Sequence, residues 1–131
     1  MRAGQTMPPT RQSQSMGRRQ MDHPEVIKPL DHAAYSAPKM GKTTIFESPR
    51  LLVGLNAFEP GQEHALHAHT GMDKLYSVIA GQGLFLLDGR ELPMHTGDVL
   101  IAPEGVAHGI RNSSGARLLV MAVLAPAPSR G

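Results

Sequence analysis

His67 and His69 stand two residues apart in a segment that reads as extended. Side chains at i and i+2 of a strand leave the same face, so both imidazoles start on one side of the chain. A neutral imidazole nitrogen is the commonest protein donor to transition metals, and a pair on one face is the beginning of a metal site. A third histidine, His108, stands downstream in GDVLIAPEGVAHGIRN, behind Pro103 and Gly105. Three nitrogen donors with open coordination positions leave room for water or a small molecule. The bland alternative is three histidines in a fold that binds no metal. Between the pair and the third lie Asp73, Lys74 and Tyr76, which could supply a further ligand, a fixed charge or an acid–base group.

The elements that must position these residues read as short strands. Thr43–Phe46 and Leu51–Phe58 are rich in β-branched and apolar residues and are parted by Ser48-Pro49. Glu63–His69, Lys74–Ala80, Gly83–Leu87, Arg90–Met94, Asp98–Ala102, Val106–Arg111 and Leu118–Leu124 follow, separated by turn signals. Asp88-Gly89 predicts a two-residue hairpin of type I′. Ala102-Pro103-Glu104-Gly105 suits a type I turn with Pro in its second position. No segment shows helical period with caps over three turns. Many short strands punctuated by Gly and Pro mean an all-β antiparallel sandwich or barrel.

Strand parity makes finer predictions. Alternation points Lys74, Tyr76 and Val78 inward and Asp73 outward. His64 has the opposite parity to His67 and His69 and is expected at the surface, as is His95 in its turn. Phe58, Met72, Tyr76, Val78, Phe85 and Met121 are candidates to line a pocket, with core packing as the plainer role.

Composition narrows the classes. The chain of 131 residues suits one domain with a real core. Its formal charge of +2 is uneven, because Arg2, Arg11, Arg18 and Arg19 lie in an acid-free opening stretch. The expected organisation is a disordered basic tail over 1–22, a barrel domain over 23–125 and a C-terminal tail over 126–131. Met16 or Met21 would serve as an alternative start. The Arg- and Ser-bearing opening faintly resembles an organelle transit peptide, although a flexible tail is the expected reading. The pI of 9.3 thus describes the tail as much as the domain, and no aromatic-rich basic patch points to nucleic acid. There is no cysteine, which excludes disulfides and thiolate metal sites. No apolar run approaches the about 18 residues of a membrane helix, and a cytoplasmic protein without membrane or nucleic-acid partners is expected.

With these residues in view, the chain resembles the cupins, small jelly-roll barrels. Their first motif, G-x5-H-x-H-x3,4-E-x6-G, is similar to the run holding Gly61, His67, His69 and Gly81. Their second, G-x5-P-x-G-x2-H-x3-N, is matched at every position by Gly97, Pro103, Gly105, His108 and Asn112. The resemblance implies a cupin-type jelly-roll β-barrel in which His67, His69 and His108 hold one divalent transition metal (Zn, Mn, Fe, Ni or Cu). The family's glutamate, however, is Lys74 here, and an ammonium has no lone pair to give. Asp73, at the shorter spacing the motif also permits, is a candidate fourth ligand if the strand starts irregularly; otherwise it pairs with Lys74 or caps the turn before it. Lys74 either enters the pocket, with Tyr76, to hold an anionic small molecule, or snorkels at a strand end. The resemblance allows oxygenase, isomerase or lyase activity. The alternative is a non-catalytic small-molecule binding or sensing module, since one fold hosts many activities. A homodimer is expected, because strand edges are usually covered by pairing.

Overall fold

The structure, a computed structural model, describes residues 23–128. The basic tail expected over 1–22 lies outside the described residues, as do the last positions of the expected C-terminal tail, 129–131. A single 3-10 turn, Pro29–His32, precedes nine strands. They are β1 (Gly41–Glu47), β2 (Leu52–Phe58), β3 (Glu63–His67), β4 (Asp73–Ala80), β5 (Gln82–Leu87), β6 (Arg90–His95), β7 (Val99–Ala102), β8 (His108–Arg111) and β9 (Leu118–Ala125). Each falls on a stretch whose β-branched and apolar content predicts a strand. No helix among the described residues is long and apolar enough to cross a membrane.

The strands form two antiparallel sheets, one ordered β1-β2-β9-β4-β7 and the other β3-β8-β5-β6. Period-2 alternation decides which face of each turns inward. In β4, Lys74, Tyr76 and Val78 are buried, whereas Asp73 is exposed. Their cross-strand partners on β9 are Leu124, Ala122 and Val120, which are buried with them. These residues meet Phe85, Met94 and Ile110 of the opposite sheet in one core, with Phe58 and Leu118. Burying a side chain of this size contributes about 1.5–3 kcal/mol, so this two-sided core is what closes the sheets into a jelly-roll barrel. A second cluster, Ile45, Leu55, Ala57 and Leu119, lies on the other face of the five-stranded sheet, covered by Ile27, Ala33 and Tyr35. Met121 belongs to this outer cluster, so it does not line the barrel pocket; its parity on β9 is opposite to that of Val120 and Ala122. At the other edge of this sheet, β7 leaves Val99 and Ile101 exposed.

Two turns differ from their expected types. Leu87 pairs with Arg90 around Asp88-Gly89, as a two-residue hairpin requires. Only Gly89 has positive φ (75°), so the turn is not type I′, which needs positive φ at both central residues. Asp88 thereby avoids the left-handed region that a side chain disfavours. The turn after β7 begins one residue late, closed by Val106 N–H to the Pro103 carbonyl (3.1 Å), with positive φ at Gly105. That pattern is a type II turn.

Asn112 directly follows β8 and is fully buried. Its amide donates to the carbonyls of Phe58 (3.2 Å) and Ala116 (2.8 Å), and its Oδ1 accepts from Ser114 N–H and Ser114 Oγ–H. The last residue of the second motif is therefore the knot between β2 and the β8–β9 turn. Asn112→Ala removes four hydrogen bonds, of which the one to the Phe58 carbonyl is buried and the others partly buried, and is expected to lower unfolding free energy by about 2–4 kcal/mol in denaturant titration. A loss below about 0.5 kcal/mol would contradict this role.

Candidate metal centre

His67 ends β3 and lies directly opposite His108, the first residue of β8. Paired residues of an antiparallel ladder share a face, and their rings stand 4.4 Å apart between centroids. His69 follows just past the strand, with its ring 5.0 Å from that of His67 and 5.6 Å from that of His108. One ligand nitrogen from each of the three lies within 4.8 Å of the others. The trio expected from the two motifs is thus assembled by the β3–β8 pairing.

The loop carrying His69 is held in place. Its carbonyl accepts Gly105 N–H at 2.8 Å, which ties the β3–β4 connection to the turn before β8. Two further bonds cross the same junction. Gly71 N–H donates to Glu104 Oε2 (2.7 Å), and Glu104 N–H donates to Asp73 Oδ1 (3.0 Å). Asp73, expected as a candidate fourth ligand, is not brought into this cluster. Regular alternation from the first residue of β4 turns Asp73 to the exposed side, where its carboxylate serves this clasp instead.

The ring nitrogens fit a metal. His67 Nδ1 is 2.8 Å from the Ala65 carbonyl and His108 Nδ1 is 2.8 Å from the Val106 carbonyl. A carbonyl only accepts, so each Nδ1 carries the proton and each Nε2 keeps a lone pair. Nε2 of His69 and of His108 are buried without a hydrogen-bond partner in the protein. Burial, with the charge of Lys74 as the next cause, lowers the His69 pKa to about 4. Burial also lowers those of His67 and His108, against the opposing pull of their carbonyl bonds. Neutral rings with free lone pairs are what a divalent ion needs.

Lys74 is turned into the barrel and is not a solvated strand-end lysine: only 6% of it is exposed. Its Nζ lies 3.5 Å from His67 Nε2 and 4.8 Å from the centre of the Tyr76 ring. Burial, then the charge of Lys42, lowers its pKa to about 8, so the ammonium persists at neutral pH. Tyr76 packs edge-on to His108 (5.7 Å) and stacks on Phe85 (5.9 Å), and its buried hydroxyl has no partner in the protein. Burial raises the Tyr76 pKa, which keeps the phenol protonated.

His64 is not at the surface as parity predicts. Its ring lies 4.3 Å from that of His67. The ladder pairs His64 with Ile110 and His67 with His108, three steps on β3 against two on β8. This β-bulge resets the alternation, so His64 and His67 share the inner face while Ala65 and Leu66 both face out. Burial, followed by the charges of His67 and Lys42, lowers the His64 pKa to about 3. A glycine within a strand often marks a bulge or a close backbone approach, and Gly109 on β8 was the one sequence signal for it. His95 is exposed, as expected.

The fold and site define a cupin-type barrel with a three-histidine centre. A cupin domain family model matches residues 54–124, and the chain belongs to that family. Over 85 residues the chain is 29% identical to the oxalate-binding protein of Thermotoga maritima, covering 65% of this chain and 69% of that one. The crystal structure of TT1209 from Thermus thermophilus is similar at a TM-score of 0.75 and 36% identity, covering 79% of this chain and 99% of that one. An RmlC-like cupin protein from Desulfovibrio desulfuricans is similar at a TM-score of 0.73 and 26% identity, over 79% and 98% of the two chains.

Two outcomes follow from this geometry. Metal-stripped protein titrated with Zn²⁺ or Ni²⁺ is expected to take up one ion per chain. His108→Ala should weaken uptake by more than the about 10–100-fold that loss of an outer-shell partner costs. Uptake unchanged by His108→Ala would remove the centre. In chelator, the imidazoles of His64 and His69 protonate less readily in the folded chain than in the unfolded one. Their contribution to stability is therefore complete above about pH 6.5 and is lost as pH falls toward about 4. A melting temperature that stays flat from pH 6.5 to about 4.5 would contradict this.

Proposed function

We propose that this chain is a metal-binding cupin that holds a small anion, a dicarboxylate of the size of oxalate, beside a three-histidine divalent ion. The observation that carries the reading is the buried Lys74 ammonium, 3.5 Å from His67 Nε2, where related motifs place an acid. A bound ion would claim the His67 lone pair that now faces the ammonium. The site would then hold two positive charges on the ion and one on Lys74, with no carboxylate among the three clustered donors. Cations this close in a buried site need an anion between them. A dianion on the open coordination positions would meet both the metal and Lys74. The protonated Tyr76 hydroxyl, buried without a partner in the protein, would donate a further hydrogen bond to it.

The metal would supply Lewis-acid binding of the carboxylate oxygens. The residues supply the rest: three neutral donors, one fixed cation, one phenol donor and apolar walls from Phe85 and Ile110. The similarity to the oxalate-binding protein of Thermotoga maritima supports the same ligand class. The experiment is calorimetric titration of oxalate into metal-loaded protein. Wild type should bind, and Lys74→Met should weaken binding by about 10–100-fold with metal affinity retained, since hydrogen bonds to charged groups contribute about 1.5–3 kcal/mol. Oxalate affinity indifferent to Lys74→Met would refute the reading. Recovery of intact oxalate from the same samples identifies a binding module, and its consumption identifies an enzyme.

A further inference from the structure

Four buried polar atoms at the barrel site have no hydrogen-bond partner in the protein: His64 Nδ1, His69 Nε2, His108 Nε2 and the Tyr76 hydroxyl. A metal accounts for the two Nε2 atoms, and the anion contact above accounts for the phenol. His64 Nδ1 is left over. Buried polar groups are nearly always paired, so an orphan beside a ligand site marks a contact that the ligand completes.

The backbone turns His64 to the inner face of the barrel. It pairs across the ladder with Ile110, which is fully buried in the core between the sheets. Its Cβ therefore points into the barrel. Without the bulge at Ala65 and Leu66, His64 and His67 would face opposite ways, because three residues of regular strand reverse the side. The partner strand makes room for the bulge at Gly109. A Cβ there would lie 2.5 Å from the His64 carbonyl oxygen and 3.0 Å from the Ala65 carbonyl carbon. The ring lies 31° from the plane of the His67 ring at 4.3 Å, a packed position beside a metal donor. His64 itself falls outside the set of three whose ligand atoms lie within 4.8 Å of one another.

We propose that His64 is a ligand-orienting residue of this pocket: the bulge aims its imidazole at the anion held by the three-histidine centre, and Nδ1–H hydrogen-bonds that anion rather than the metal. This rests on the anion-binding reading above and adds its third protein contact, after Lys74 and Tyr76. A third donor fixes the orientation of a planar dicarboxylate, which two contacts on one side leave free to swing.

The test uses the full chain, metal-loaded, with oxalate as the probe. His64→Leu removes the donor and His64→Gln restores one through its carboxamide. His64→Val, suited to a strand, repeats the comparison should Leu impair folding. Loss of one hydrogen bond to a charged group corresponds to about a tenfold or greater loss of oxalate affinity. His64→Leu is expected to show that loss and His64→Gln to recover most of it. Both should bind Ni²⁺ alone, titrated into stripped protein, within about threefold of wild type. Oxalate affinity of His64→Leu within about twofold of wild type overturns the proposal while leaving the anion reading intact. A parallel fall in Ni²⁺ affinity also overturns it, because His64 would then act through the metal ligands. Wild type that takes up Ni²⁺ but not oxalate overturns the anion reading, and the role of His64 with it.

Discussion

The pairing of β3 with β8 is the constraint on which the centre depends. It sets His67 opposite His108, so two histidines far apart in the chain become cross-strand neighbours. Each is then oriented by the same local device, an Nδ1–H bond to the carbonyl two residues earlier. That bond fixes the tautomer and leaves Nε2 for a ligand. His69, beyond the end of β3, cannot rely on the ladder. It is placed by Gly105 N–H on its carbonyl and by the Asp73–Glu104–Gly71 clasp. The Pro-Glu-Gly turn of the second motif therefore positions a histidine of the first, which gives these turn residues a part in shaping the cluster.

Charge gives the centre its character. A carboxylate at the position of Lys74 would offset a divalent ion, whereas an ammonium adds to it. Burying that ammonium is unfavourable unless something compensates. The neighbouring aromatic ring offers part of the compensation as a cation–π contact, with Nζ 4.8 Å from the centre of Tyr76. In the proposed reading an anionic ligand would supply the remainder. Lys42 strengthens the same field from β1, lowering the pKa values of His64, His67, His69 and Lys74 alike.

The core and the site share walls. Tyr76 and Val78 lie on the inner face of β4 with Lys74, and Ile110 lies two residues beyond His108 on β8. The apolar rows that hold the two sheets together thus carry the polar groups at one end of the barrel. Close packing of Tyr76 between Phe85 and His108 fixes its ring and hence the position of the phenol oxygen.

All nine strands, the hairpin at Asp88-Gly89 and the inward set Lys74, Tyr76 and Val78 were legible in the chain, because period-2 alternation and turn chemistry are local properties of sequence. So were the three histidines, since their spacing matches two motifs. Asp73, Met121 and His64 divide the remainder. The outward face of Asp73 also followed from parity, against the shorter motif spacing that made it a candidate ligand. Met121 needed knowledge that both faces of the five-stranded sheet are covered, which depends on where residues such as Ile27 and Tyr35 pack. His64 needed the bulge, and a bulge is a mismatch between two strands that neither strand displays alone. Sequence by itself determined the barrel and the three histidines that cluster in it. Tertiary structure alone decided that His64 lies beside them and that the charge of Lys42 reaches them, because register and sheet-to-sheet approach are properties of paired segments and are written in no single one.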